Sequence, residues 1–431
     1  MAAMQRISPF HRTVRIAVSG LARAGKTSFL TSVAANAFAG RLRPGAGWTV
    51  KESPAGASNM ARFDARAHLA ALAADPPHWP DRTANVSLLS LDITLQPGGR
   101  LRPARTLKLE LLDYPGEWLL DLPLLKQRFA DWSGAVLARL EQLPEAQQFL
   151  DFTRAISYGA GADEALAEDG HRRYRRLLGQ LSEELRLSML QPGRFLLPFG
   201  PAEPPWMRFF PCDRGGALGK LLASRYDAYV RAVREELAGP AFARIDRLVV
   251  LADVLAALHA GPAAFADARD ALGTVAEGLR WRQAPGFMPE RVAALLPLAG
   301  IRRVAFVASK ADHVAEQQRG NLAELVAAMT STGGQAKAAS FAIAAVRCTE
   351  DYVLTLDGRA VSGVRGKVAG TGTVAFYPGE VPRRPPGPEF WTHPFLQVPK
   401  FMPAQLAGTL AGGVQYIDLD RLFAFLLEDV L

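Results

Sequence analysis

The 431-residue chain reads as an α/β protein built on a mostly parallel sheet, with a large helical insertion and a small β-rich extension near its C-terminal end. Three observations predict this. Six short apolar runs, Val14–Ser19, Val86–Leu95, Thr106–Leu112, Leu248–Val254, Val304–Ala308 and Phe341–Val346, have the texture of parallel strands buried on both faces. Helical patterns lie between most of them, which is the alternation that builds a parallel sheet. The interval from Leu112 to Leu248 is far longer than the roughly 30 residues a β-α unit needs. It carries long helical patterns instead.

In chain order, Val14–Ser19 supplies the first strand and Ser28–Phe38 the helix that follows it. Val86–Leu95 and Thr106–Leu112 supply two more strands. The insertion then contributes helical stretches at Glu145–Ile156, His171–Leu190 and Leu218–Leu237. The remaining three runs return the chain to the sheet. Beyond Val346, Tyr352–Lys367 alternates around Asp357-Gly358, a dipeptide suited to a two-residue hairpin turn, and Gly370–Tyr377 adds a further strand. A Pro-rich loop from Val381 to Pro403 carries Phe390, Trp391, Phe395 and Phe401, and Tyr416–Leu431 has helical apolar spacing. The expected division is a discontinuous sheet domain over 1–116 and 245–350, a helical subdomain over 117–244, and a C-terminal region over 351–431.

Composition narrows the function classes. A hydrophobic fraction of 49% with 21% charged residues suits a chain with a substantial buried core. The net charge of +8 raises nucleic acid or an anionic membrane as partners, but no run of five basic residues and no basic stripe with interleaved aromatics occurs. Specific nucleic-acid binding is therefore not expected. Two cysteines, Cys212 and Cys348, are too few for a disulfide framework, and the seven histidines show no metal-ligand spacing. Met1–Thr13 lacks a secretory apolar core, and the most apolar stretch, Leu248–Phe265, is interrupted by Asp253, His259 and Gly261-Pro262. A cytoplasmic protein without a transmembrane segment is expected. Only nine of its 50 basic residues are Lys, so a Lys in a motif is informative.

The decisive motif is Gly20-Leu21-Ala22-Arg23-Ala24-Gly25-Lys26-Thr27, a G-x-x-x-x-G-K-T sequence lying after a strand and before a helix. Its glycines let backbone N–H groups of Gly20, Ala22, Arg23, Ala24, Gly25 and Ser28 turn toward a diphosphate at the positive end of the helix. Lys26 is suited to span the β- and γ-phosphates, and the Thr27 hydroxyl to ligate Mg²⁺. The third strand ends in Asp113-Tyr114-Pro115-Gly116. Asp113 is a second Mg²⁺ candidate, and the Gly116 N–H a candidate sensor of the γ-phosphate. Ser309-Lys310-Ala311-Asp312 resembles the guanine-reading [NT]-K-x-D motif. The Asp312 carboxylate would accept from guanine N1–H and its 2-amino group, donors that adenine lacks there. The Lys310 stem would cover the base, while Ser309 is shorter than the usual Asn or Thr. Ala344-Ala345-Val346-Arg347 stands where such proteins carry a loose S-A-K element, making Val346 and Arg347 base-side candidates. These elements mark a P-loop NTPase that binds GTP or GDP with Mg²⁺.

The segments G-L-A-R-A-G-K-T at Gly20–Thr27, L-L-D-Y-P-G-E-W-L-L-D-L-P at Leu111–Pro123 and V-V-L-A-D-V-L-A-A-L-H-A-G-P at Val249–Pro262 together resemble the YcjX family. The resemblance spans essentially the whole chain. It implies a bacterial, stress-associated P-loop protein with GTPase-type nucleotide binding. Members are often encoded beside the integral membrane protein YcjF, which implies a membrane-protein partner and a peripheral position at the inner membrane.

Hydrolysis is expected to be slow. The residue after D-x-x-G, a water-orienting Gln in Ras-like enzymes, is Glu117, whose carboxylate would repel the γ-phosphate. Arg23 within the loop, or Arg82, would supply positive charge in cis, and Thr83 is the candidate switch-region Mg²⁺ ligand because it lies shortly before Val86. The leading expectation is a nucleotide-dependent switch with slow GTPase activity. A nucleotide-gated scaffold with negligible hydrolysis is the alternative, and an ATP-dependent phosphotransferase, which would not need Asp312, is a third.

Overall fold

The computed structural model describes residues 11–42, 48–53, 60–80, 86–95, 105–196, 203–238, 244–280, 301–330, 337–392, 396–404, 406 and 408–430. Arg82 and Thr83 lie outside them. The chain divides into two compact units. The first comprises Met1–Pro115, Arg244–Phe265 and Gly300–Leu431, and the second Gly116–Ala243 and Ala266–Ala299. The C-terminal β region thus clusters with the sheet.

In the first unit the strands are β1 (His11–Gly20), β2 (Trp48–Glu52), β3 (Ala61–Arg62), β4 (Ser87–Leu95), β5 (Arg105–Asp113), β6 (Arg247–Ala252), β7 (Arg303–Ala308) and β8 (Lys337–Ala342). They form one sheet in the order β2-β4-β5-β1-β6-β7-β8, with β3 beside β4. Strands β5, β1, β6, β7 and β8 are mutually parallel. The fold is therefore the α/β, mostly parallel sheet that the apolar runs predict.

Three details differ. The run Val86–Leu95 forms β4, which pairs antiparallel to both β5 and β2. A single run does not encode direction; here β4 and β5 are neighbours in chain and sheet, which an antiparallel return satisfies. Val254, read as strand, starts α8 (Val254–Ala260) because Asp253 accepts from the N–H of Ala256 and caps the helix at 3.1 Å. The last sheet strand ends at Ala342 rather than reaching Val346. It is an edge strand with a half-exposed pattern, so its hydrophobic signal is weak.

One sheet face is covered by α1 (Lys26–Phe38), α2 (Ala65–Ala73) and α11 (Leu419–Leu427). Val14, Ile16 and Val18 of β1 share a core with Phe29, Leu30 and Val33 of α1, Leu69 and Leu72 of α2, and Phe423 and Leu426 of α11. Helix α10 (Glu316–Met329) packs against β7 and β8. Buried Arg247 and Arg303 reach from the strand starts to Asp429 and Glu428 just past α11 and to backbone carbonyls of that helix. A three-stranded antiparallel sheet follows: β9 (Thr349–Leu356), β10 (Arg359–Val368) and β11 (Gly372–Phe376). Asp357 and Gly358, both with positive φ (49° and 75°), make the turn between β9 and β10, as their sequence requires.

The second unit holds α3 (Gly116–Leu119), α4 (Phe129–Leu140), α5 (Gln147–Ala155), α6 (Glu164–Glu183), α7 (Gly216–Ala238) and the larger part of α9 (Pro262–Arg280). Its core is aromatic, with Trp132, Tyr174, Phe195, Phe209, Tyr226 and Tyr229 in edge and stacked contacts. Inside it sits an ionic cluster. Arg194 meets Asp121 at 3.0 Å and Glu236 at 2.9 Å, while Asp121 also accepts from Tyr229 at 2.5 Å and from the Gly193 N–H at 2.8 Å. Arg194 and Asp121 are almost fully buried. Truncating one partner strands the other charge away from water, which costs about 3–5 kcal/mol. Arg194→Met is therefore expected to lower the urea midpoint of the unfolding transition reported by tryptophan fluorescence by that much stability. An unchanged midpoint would show the cluster to be neutral.

Candidate nucleotide-binding site

The loop from Gly20 to Gly25 is shaped by two glycines with different constraints. Gly20 is paired with Leu251 of β6, and a side chain there would collide with the Leu251 carbonyl oxygen. Space demands that glycine. Gly25 has room for a Cβ but sits at φ 84°, so conformation demands it. Arg23 also has positive φ, 63°. The Leu21 N–H donates to the Leu251 carbonyl at 2.8 Å and the Ala24 N–H to the Leu21 carbonyl at 3.2 Å, anchoring the loop between β1 and β6.

Gly25 is the N-cap of α1. It offers no side-chain cap, and the first turn holds no acidic residue. A 13-residue helix thus opens on a residue with no capping side chain, and it presents its positive end with Lys26, Thr27 and Ser28 half-buried there. That arrangement fits a phosphate-bearing ligand. Ala22, Arg23 and Gly25 are likewise half-buried, and Ala24 is buried.

Asp113 ends β5 in register with Val18, two residues before Gly20, and the Tyr114 N–H donates to the Val18 carbonyl at 2.9 Å. It is 3% exposed. Asp113 and Thr27 are thus placed on the adjacent strand end and helix start of one unit, a hydroxyl and carboxylate donor set that suits Mg²⁺. The chain continues through Pro115 into α3, which opens with Gly116 and Glu117 in the second unit. There Gly193 abuts the Glu117 backbone so closely that it has no room for a Cβ.

On the other side of β6, β7 delivers Ser309, Lys310 and Asp312. The Ser309 N–H and hydroxyl both donate to the Ala252 carbonyl, at 2.9 and 3.3 Å, so this residue ties the ends of β6 and β7 together. Lys310 adopts the left-handed region at φ 60°, and its ammonium pairs with Asp253. The Ala311 N–H donates to the Ile343 carbonyl at 2.9 Å, which fixes the turn against the end of β8. Asp312 is 1% exposed.

The surroundings of Asp312 are not apparent in the motif. Its Oδ2 accepts from the Cys348 N–H at 2.8 Å and the Cys348 thiol at 3.0 Å, and the Thr349 hydroxyl donates to its backbone carbonyl. Burial, and then the adjacent Asp312 charge, push the Cys348 thiol well up, which keeps it a protonated donor. His313 places Nε2 3.6 Å from the Cys348 sulfur, and burial lowers its basicity. The sequence held one clue, that Cys348 follows the S-A-K-like stretch directly. Within that stretch Val346 is buried in the core. The Arg347 N–H donates to the Gln415 carbonyl at 2.8 Å, and its guanidinium binds the Thr349 carbonyl and Asp351. Ser32 of α1 donates to the Ala345 carbonyl, linking this segment to the P-loop helix.

Loop, Asp113, Ser309–Asp312 and the segment after β8 therefore all lie at the C-terminal ends of strands β5, β1, β7 and β8 in one unit. That is where open α/β sheets bind ligands. Among the described residues no helix is long and apolar enough to cross a membrane.

The model of the YcjX-like family (DUF463) matches residues 14–431. A Shewanella oneidensis protein named Ras-like GTPase YcjX is 30% identical, over 98% of this chain and 96% of its own length. The Escherichia coli protein of the same name is 31% identical, over 97% and 96%. With a family model covering nearly its whole length and full-length relatives at that identity, the chain belongs to the YcjX-like family.

Proposed function

We propose that this chain binds guanine nucleotides with Mg²⁺ and acts as a nucleotide-dependent switch with slow GTP hydrolysis. One observation carries the reading: the G-x-x-x-x-G-K-T loop after β1 and the buried Asp312 after β7 flank β6 at the same end of one sheet. A phosphate cradle and a base reader at that separation suit a single nucleotide lying across the strand ends. The relatives' name, Ras-like GTPase, agrees with it.

In this reading Lys26 holds the β- and γ-phosphates and the loop N–H groups neutralise the diphosphate. Thr27 and Asp113 would hold Mg²⁺, which supplies charge neutralisation and orientation of the phosphates. Thr83 remains the switch-region candidate. Gly116 senses the γ-phosphate by its N–H, and Glu117 orients water less well than a neutral amide, which keeps turnover slow. Arg23, within the loop, is the candidate cis cation.

The switch is proposed to act through α3. Gly116 and Glu117 open that helix, Trp118 lies beneath the Arg194 guanidinium at 4.6 Å, and Asp121 anchors the ionic cluster. A small shift at Gly116 thus enters a tightly packed element that has few intermediate positions.

Direct competition tests the base preference: GTP is expected to displace a fluorescent guanine nucleotide at concentrations where ATP does not, and equal displacement by ATP overturns the reading. Hydrogen exchange with GDP against a non-hydrolysable GTP analogue tests the switch. Protection is expected to change over residues 116–129 and in the helices beyond 145. A change confined to the P-loop would leave nucleotide binding intact but remove the switch.

A further inference from the structure

Asp312, His313 and Cys348 bring three different metal-ligating side chains together. Their ligand atoms all lie within 4.8 Å of one another. We infer that these residues form a binding site for a soft divalent cation of the zinc type, using the same carboxylate proposed to read guanine.

The distances favour this over a chance cluster. With Zn–S near 2.3 Å and Zn–N near 2.0–2.1 Å, a tetrahedral site has an S···N edge of about 3.5 Å. Cys348 Sγ and His313 Nε2 are 3.6 Å apart. The S···O edge would also be about 3.5 Å, against 3.0 Å between Cys348 Sγ and Asp312 Oδ2, where a thiol proton now makes a hydrogen bond. Replacing that proton by the cation asks for an outward movement of about half an ångström on this edge, and the Asp312–His313 edge, within 4.8 Å, closes toward the roughly 3.4 Å of a tetrahedral site.

The donor set is also selective. One thiol, one imidazole and one carboxylate suit zinc and disfavour Mg²⁺, which prefers oxygen. The neighbouring cations are engaged elsewhere: Lys310 on Asp253, Arg347 and Arg319 on Asp351. Asp312 is buried and Cys348 and His313 are half-buried, and three ligands leave the fourth tetrahedral position to water. On binding, the Cys348 S–H bond breaks, sulfur bonds the cation, and the proton passes to solvent.

A cation on Asp312 would withdraw the acceptor from guanine. Metal and guanine nucleotide would then compete, a consequence that rests on the function proposed above. The site itself does not.

The test uses the full chain after chelation. Titration with Co²⁺ is expected to give one equivalent with a thiolate-to-cobalt charge-transfer band, displaced by Zn²⁺. Cys348→Ser should remove the band, and His313→Gln should weaken binding at least about tenfold, as loss of a ligand does. Cys212→Ser, which alters a thiol in the second unit, should leave the band unchanged. No band, or one that survives Cys348→Ser, overturns the site. Adding GDP tests the shared carboxylate. Release of the metal supports it, and GDP bound together with metal refutes it. Metal binding through Cys348 in a chain that binds no guanine nucleotide would uphold the site and defeat the proposed function instead.

Discussion

Lys26→Ala is expected to lower GTP affinity by two to three powers of ten while leaving the protein folded. Lys26 is the first residue of α1, half-buried at the helix start behind a loop fixed by Gly20 and Gly25. Its ammonium would be placed to bridge two phosphates. A charge-assisted hydrogen bond contributes about 1.5–3 kcal/mol, and two near the lower end of that range about 3–4 kcal/mol. Each 1.4 kcal/mol is a factor of ten. The loop's own anchors, Leu21 to Leu251 and Phe29 to Gly25, are backbone bonds that the substitution does not touch. Circular dichroism and melting temperature should therefore match the parent. Lys26→Arg should fail nearly as badly, because a planar fork does not replace a compact ammonium in a tight loop. The use of Lys here, in a chain with 50 basic residues of which nine are Lys, is consistent with that demand. A folded Lys26→Ala protein that binds GTP like the parent would remove the phosphate assignment.

What was legible in the sequence follows from where the signal lies along the chain. Strands β1, β5, β6 and β7 are central, so their residues are mostly apolar, and they stay recognisable although Arg15 interrupts β1 and Lys108 and Glu110 interrupt β5. The hairpin turn at Asp357-Gly358 was legible because its chemistry is local. The loop glycines were legible for the same reason. Strands β2 and β3 were not, since Trp48–Glu52 alternates at a sheet edge and Ala61–Arg62 is only two residues long. The direction of β4 and the end of β8 depend on pairing partners, which a run of apolar residues does not specify.

Polar contacts across large sequence separations were the least legible. Asp121, Arg194 and the α7 residues Tyr229 and Glu236 come from three places in the second unit and meet inside an aromatic core. The absence of metal-ligand spacing among the histidines was a correct statement about spacing only. His313 and Cys348 are 35 residues apart, joined because the end of β7 and the start of β9 lie side by side. The motif Ser309–Asp312 named its aspartate but not the thiol that holds it. That thiol changes what a substitution of Asp312 should do.

Asp312→Asn is expected to exchange guanine for xanthine recognition. Asp312 Oδ2 already accepts the Cys348 N–H and thiol. An asparagine at this position keeps one carbonyl oxygen, and those two donors hold it on the Cys348 side. Its NH₂ is then directed to the remaining side, where the carboxylate would have faced the base. Guanine presents donors there, at N1 and the 2-amino group, so donor would meet donor. With Asp312 only 1% exposed, water does not relieve the conflict. The cost of leaving such groups unpaired is a few kcal/mol, and about 3 kcal/mol corresponds to a loss of GTP affinity of roughly a hundredfold. Xanthine carries a carbonyl at position 2, which accepts from the new NH₂, so xanthosine triphosphate should bind the variant better than GTP. Competition titrations with both nucleotides on parent and variant measure the crossing directly. Equal weakening toward both would mean that Asp312 supports the β7–β9 corner through Cys348 and Thr349 without facing the base. The double substitution Asp312→Asn with Cys348→Ala separates these roles. The Cys348 N–H remains to hold the carbonyl oxygen, so the double variant should keep its xanthine preference if that backbone donor sets the orientation, and regain part of the guanine affinity if the thiol sets it.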